Sequence, residues 1–201
     1  MIYEGAPSRT LPAVATALRN ALAAGMRCMY LNSRAMVAGV RSQLYASGTN
    51  VEREIAKGAL ILSSEYDHLV DGRFVIDPMI DMLEDAVRQA LADGYTGLFA
   101  TGDMTWEFGP DKDFSKLLDY EWRLEQVFRK QPALSDICQY HRDLIPAQAV
   151  RDGLVSHGTT FINATLTQLN PHYVLGTASE RKTAATSALD VMLASLIAQL
   201  A

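Results

Sequence analysis

The sequence predicts an α/β domain of three layers, with a mostly parallel central sheet and helices on both of its faces. Short apolar runs alternate with segments whose apolar residues recur at helical spacing. The connections are mostly short and carry glycine, as at Gly25, Gly58 and Gly94. A chain of 201 residues, 49% hydrophobic and 20% charged, is sized for one domain with a substantial core.

Met1 to Glu4 reads as a short strand, turned at Gly5-Ala6-Pro7-Ser8 into a helix with Thr10 or Ser8 as N-cap and Pro12 in its first turn. Leu11, Val14, Ala15, Leu18 and Leu22 form its apolar side, and Gly25 stops it. Arg27–Leu31 is the next strand, and Asn32-Ser33 is placed to cap a helix carrying Met36, Val37, Val40 and Leu44 up to Gly48. A short helix from Val51 to Lys57 leads through Gly58 to a strand from Ala59 to Leu62. Ser63 to Phe74 is polar with aromatics between and too long for a tight connection, a kind of loop that often carries function. Asp77-Pro78 opens a helix with Ile80, Leu83, Val87 and Leu91 on one face, ended at Gly94.

The next strand begins at Leu98 and stops abruptly at Gly102 and Asp103, followed by Trp106 and Glu107. A helix from about Asp113 to Lys130 carries Phe114, Leu117, Leu118, Leu124 and Phe128, and a strand from Leu134 to Tyr140 ends at His141. Pro146 opens a helix with Val150 and Leu154 inward, and Gly158 leads to a strand from Thr159 to Asn163. Asn170-Pro171-His172-Tyr173 is extended or turn-like, because the residue before proline avoids the helical region. A final amphipathic helix from about Arg181 to Leu200, with Leu189, Met192, Leu193, Leu196 and Leu200 in one stripe, packs on the sheet or pairs with a second copy.

In an open parallel sheet ligands bind at the carboxyl ends of the strands, which makes Asp103, Trp106 and Glu107 the first functional candidates. Structural readings of the same residues are a turn at Gly102, a cap at Asp103 and a core plug at Trp106. Glu121 falls on the apolar stripe of its helix, so its carboxyl must find a hydrogen-bond partner or hold a raised pKa. Along the extended strand Cys138 and Tyr140 share one face, Gln139 and His141 the other. Arg73 and His68 are in reach of an anionic ligand at the long loop, and Asp103, Glu121 and His141 make a cation-binding set if they converge.

The formal charge of −5, with no cluster of Lys and Arg, argues against direct nucleic-acid binding. No apolar run approaches a membrane span, and the start lacks the layout of a signal peptide, so a cytoplasmic location is expected. Cys28 and Cys138 sit in apolar runs as buried thiols, and neither a bridge nor a cysteine-built metal site is expected. The Asn163-Ala164-Thr165 sequon is read as an accident of composition. The first strand-to-helix turn has one glycine and no lysine, so it is not a phosphate loop, although Arg9 near a helix N-terminus is suited to an anion. Gly-x-Ser-x-Gly, His-Glu-x-x-His, Cys-x-x-Cys and Gly-x-Gly-x-x-Gly do not occur.

Gly102-Asp103-Met104-Thr105-Trp106, Asp119-Tyr120-Glu121, Ile137-Cys138-Gln139-Tyr140-His141, His157 and Asn170-Pro171-His172-Tyr173, in that order, resemble the MEDS family, the methanogen and methylotroph sensory domains. The likeness runs from Tyr3 to about Tyr173 and includes Asp71-Gly72-Arg73-Phe74. The resemblance implies a RecA-like or KaiC-like domain that has lost its phosphate loop and serves as a signal input, sensing small hydrocarbon derivatives. Residues 1–175 are then the sensory domain, and residues 176–201 the C-terminal helix, packed on it or in a homodimer.

The expected function is therefore a non-enzymatic, stand-alone sensor without cofactor or resident metal, signalling to a separate kinase or transcription regulator. Trp106 and Tyr140 supply apolar walls for the ligand, while Asp103, Glu121, His141 and Arg73 orient its polar atoms. The rival expectations are a degenerate RecA-like nucleotide-binding or hydrolytic enzyme using Asp103 or Glu121 as base, and a homodimeric scaffold.

Overall fold

A computed structural model describes residues 1–161, 167–177, 179–181 and 188–198. Five parallel strands form the central sheet: β1 (Ile2–Tyr3), β2 (Arg27–Leu31), β3 (Leu60–Ser63), β4 (Leu98–Asp103) and β5 (Leu134–His141). Their spatial order is β1-β5-β4-β2-β3. Chain direction across the sheet reverses between β2 and β4, which are hydrogen-bonded neighbours with Leu31 opposite Gly102. Beyond the carboxyl ends of such a pair lies the crevice where α/β sheets take ligands.

The residue alternation of each strand divides the core between the two sheet faces. Cys28, Tyr30, Leu60 and Phe99 pack against α1 (Leu11–Ala23), α2 (Arg34–Ala46) and α3 (Val51–Ala56). Met29, Leu98, Ala100, Cys138 and Tyr140 pack on the other side against α4 (Ile76–Ala92), α6 (Leu117–Lys130) and α7 (Ala147–Ser156). The one-turn helix α5 (Met104–Glu107) follows β4 directly. The architecture is the predicted three-layer αβα arrangement.

Several local expectations are corrected. A 3-10 turn, Pro7–Thr10, precedes α1, and Thr10 uses its hydroxyl on the Pro7 carbonyl oxygen (2.9 Å) instead of capping the helix. Ser33 stands at the N-cap of α2 without a side-chain cap, and Asn32 Oδ1 accepts the Ser33 N–H at 2.8 Å. The strand expected at Thr159 is β6 (Thr159–Phe161), which pairs antiparallel with β7 (Thr167–Leu169) in a separate small sheet. The end of that predicted strand and the Asn163 sequon lie outside the described residues, as does Leu200. The last helix, α8, is described over Leu189–Ala198. It packs Met192 and Leu196 against Leu154 and Val155 of α7.

Candidate ligand-binding site

Asp103 ends β4 and begins α5, and its carboxylate does two jobs there. Oδ1 accepts the Thr105 N–H at 2.8 Å, which caps α5, and also the Thr105 hydroxyl. Oδ2 accepts the Tyr3 hydroxyl from the end of β1. Burial, followed by the adjacent carboxylate, drives the Tyr3 phenol far above its usual pKa, so this O–H is a fixed donor. The Tyr3 ring lies 4.8 Å from the His141 ring, and His141 Nδ1 accepts the Asp143 N–H at 3.2 Å. Two strand ends separated by 100 positions in sequence are thus joined through one tyrosine.

Beside this group the long loop returns over α5. Tyr66 stacks on Trp106, with ring centroids 4.8 Å apart and planes 21° from parallel. His68 lies 5.0 Å from the same indole and holds the Glu107 carbonyl oxygen through Nε2 at 2.8 Å. That contact requires the proton on Nε2, and burial holds the imidazole below its usual pKa, so it is a neutral donor. Between these aromatics and the ends of β2 and β4 lies a cleft of about 410 Å³. Asn32, Ser33, Asp103, Thr105, Tyr3 and Trp106 line it, so its wall holds both polar groups and aromatic surface.

Behind the cleft, Glu107 points into the core. It is 3% exposed, accepts the Tyr120 hydroxyl at 2.7 Å, and has its carboxyl pushed up to about 8, first by burial and then by Glu121, Asp136 and Asp103. Gly102 makes room for it, because a Cβ there would stand 2.8 Å from Glu107 Oε2. Glu107 is therefore a neutral acid at moderate pH, hydrogen-bonded like a structural group.

The predicted site residues divide. Asp103 and Trp106 line the cleft, and His141 touches it only through Tyr3. Arg73 lies outside: its side chain is 75% exposed and pairs with Asp111 at 3.5 Å. Glu121 and Tyr140 face the α6–α7 layer, where the Tyr140 hydroxyl donates to Glu121 Oε1. The cation-binding set of Asp103, Glu121 and His141 does not form, because Tyr140 and His141 point to opposite faces of β5. Tyr3, Tyr66 and Asn32 were not singled out as site residues. The position of Asn32 at a strand end was legible, whereas the pairing of β1 beside β5 that delivers Tyr3 was not.

A second group surrounds Glu121. His157, at the end of α7, places Nε2 3.6 Å from Glu121 Oε2. Cys138 Sγ lies 3.1 Å from Asp136 Oδ2 on the same face of β5. Burial first, then the Asp136 and Glu121 carboxyls, raises the Cys138 thiol well above its usual pKa, and burial likewise raises Glu121 and Asp136. These side chains line a cavity of about 400 Å³ between β5, α6 and α7.

A family model described as the MEthanogen/methylotroph, DcmR Sensory domain (MEDS) matches residues 1–158. No curated protein and no solved structure matches the chain. No helix among the described residues is long and apolar enough to cross a membrane.

Proposed function

The chain belongs to the MEDS family of sensory domains, and from that premise we propose that it is a signal-input domain that binds a small organic molecule in the cleft beside Asp103 and Trp106. The observation that carries the reading is the position of that cleft, at the carboxyl ends of β2 and β4 where the sheet order reverses. A volume of about 410 Å³ suits a small molecule, and the wall combines aromatic surface with polar groups.

In this reading Trp106 and Tyr66 cover the apolar part of the ligand. Asn32 and Asp103 meet its polar atoms, with Tyr3 holding Asp103 in place. Ligand in the cleft touches both β1, through Tyr3, and the loop carrying Tyr66, so binding changes the surface offered to a separate kinase or transcription regulator. His141, Glu121, Tyr140 and Arg73 act outside the cleft, the first as support for Tyr3.

A thermal-shift screen of short alcohols, aldehydes, carboxylic acids, halogenated alkanes and nucleotides tests the proposal. The expected result is a rise in unfolding temperature with at least one small organic class, reduced in Asp103→Asn and Trp106→Leu. Stabilisation by nucleotides alone, with turnover lost in Asp103→Asn, overturns it in favour of a degenerate nucleotide-binding enzyme.

A further inference from the structure

The cavity on the far side of β5 carries a different chemistry from the cleft. Glu121 from α6, Cys138 from β5 and His157 from the end of α7 each turn one ligand-type atom toward a common point, and those atoms lie within 4.8 Å of one another. We propose that Glu121, Cys138 and His157 bind a divalent transition-metal ion of the zinc type, with a fourth coordination position open to the 400 Å³ cavity.

The His157 hydrogen bonds make the first argument. Nδ1 is 2.7 Å from the Gly153 carbonyl oxygen, a group that only accepts, so Nδ1 carries the ring proton. In the neutral ring Nε2 is then a lone pair, aimed at Glu121 Oε2 across 3.6 Å. A shared proton or a metal ion between these two atoms satisfies the same geometry, and the Cys138 thiol beside them supplies the third ligand atom that only the metal ion uses. An imidazole that gives its other N–H to a backbone carbonyl is the usual second-shell arrangement of a metal-bound histidine.

The partners of the other two ligands point the same way. The Tyr140 hydroxyl occupies Glu121 Oε1, which leaves Oε2 turned toward His157. Cys138 Sγ has Asp136 Oδ2 at 3.1 Å as the acceptor of its thiol proton. Glu125, also in the cavity wall, is already satisfied by Arg181 and by the Tyr173 hydroxyl at 2.7 Å. The Met1 amino group donates to the Cys138 carbonyl oxygen at 2.6 Å on the same wall. An ion about 2.0 to 2.3 Å from each of three tetrahedral ligands sets them roughly 3.5 Å apart, which the present spacing reaches by roughly 1 Å of side-chain movement. Binding takes the proton from the thiol, and from the Glu121 carboxyl where it is protonated, and releases both to solvent, and the ion's charge offsets the crowding of Glu121, Asp136 and the new thiolate. One carboxylate, one thiolate and one imidazole favour a borderline ion over magnesium or calcium.

Cobalt(II) added to protein stripped of metal by chelator and dialysed is the direct probe. We expect one ion per chain, a thiolate-to-cobalt charge-transfer band in the near ultraviolet, and displacement of cobalt by zinc. Cys138→Ser is expected to lose that band, and His157→Gln to weaken zinc binding more than about 100-fold, beyond what loss of an outer partner costs. Cys28→Ser is expected to match the wild type, since Cys28 packs among α1 and α2 on the opposite face. Protection of Cys138 from alkylation by zinc in the wild-type chain gives a reading that needs no variant. A wild-type chain that takes up neither ion, or a Cys138→Ser chain that keeps the band, overturns the proposal.

Discussion

Glu107 illustrates how far a single buried carboxyl can be read. The sequence marked it as a candidate beside Trp106, and its position at the end of α5 aims it inward, onto the Tyr120 hydroxyl, while Trp106 faces the cleft. Its carboxyl is raised from 4.5 to about 8, so between those values the folded chain holds a proton that the unfolded chain has released. Stability from this group is therefore undiminished below pH 4.5 and falls as pH rises toward 8. Glu121 and Asp136 push in the same direction, and His68, held below its usual value, pushes the other way. Comparing wild type with Glu107→Gln isolates the one group, because the amide oxygen still accepts from Tyr120. Urea unfolding across pH 5 to 8 is expected to show the wild type losing on the order of a few kcal/mol more than the variant. Parallel pH profiles would contradict the assignment. The partners of Glu107, Glu121 and Cys138 were not legible in sequence, because they come from elements whose packing no local spacing encodes. That Glu121 must be buried was legible, because it falls on the apolar stripe of α6.

Among the elements, α4 and α6 read clearly because their apolar residues keep helical spacing over about three turns between turn signals. The short strands β1 and β6 were anticipated, from Met1 to Glu4 and from Thr159, but β7, of three residues, was not, and neither was the antiparallel pairing of β6 with β7, since so short a run has no period to detect. The meeting of α7 with β5 shows what the pattern omits. Gly153 looks like a weak point in a helix, yet a Cβ there would stand 2.6 Å from Tyr140 Cε1. The ring cannot retreat without giving up its hydroxyl bond to Glu121. Gly153→Ala is accordingly expected to destabilise by about 1 to 3 kcal/mol despite the better helix propensity of alanine, as measured by urea denaturation. A stabilised variant would show that α7 has room to move away from the sheet.

For the whole molecule, the consequential fact is where the sheet order reverses. The order β1-β5-β4-β2-β3 brings the ends of β2 and β4 together and leaves a cleft between them, closed by the loop carrying Tyr66 and His68. The two apolar cores hold helices on both faces, so the strand ends are presented by a packed frame, and the loop is joined to them through Tyr66 on Trp106 and His68 on the Glu107 carbonyl oxygen. Strand, helix and turn order were enough to anticipate a parallel sheet, but not which strand ends would adjoin. The test follows from Trp106, which with Trp122 is one of two tryptophans. In a Trp122→Phe background, emission reports Trp106 alone. Titrating a small organic molecule that raises the unfolding temperature is expected to change that emission saturably, at a midpoint shifted at least about 10-fold by Asp103→Asn. Stabilisation by the same molecule with unchanged Trp106 emission and an unchanged midpoint in Asp103→Asn would contradict a sensing site at this edge.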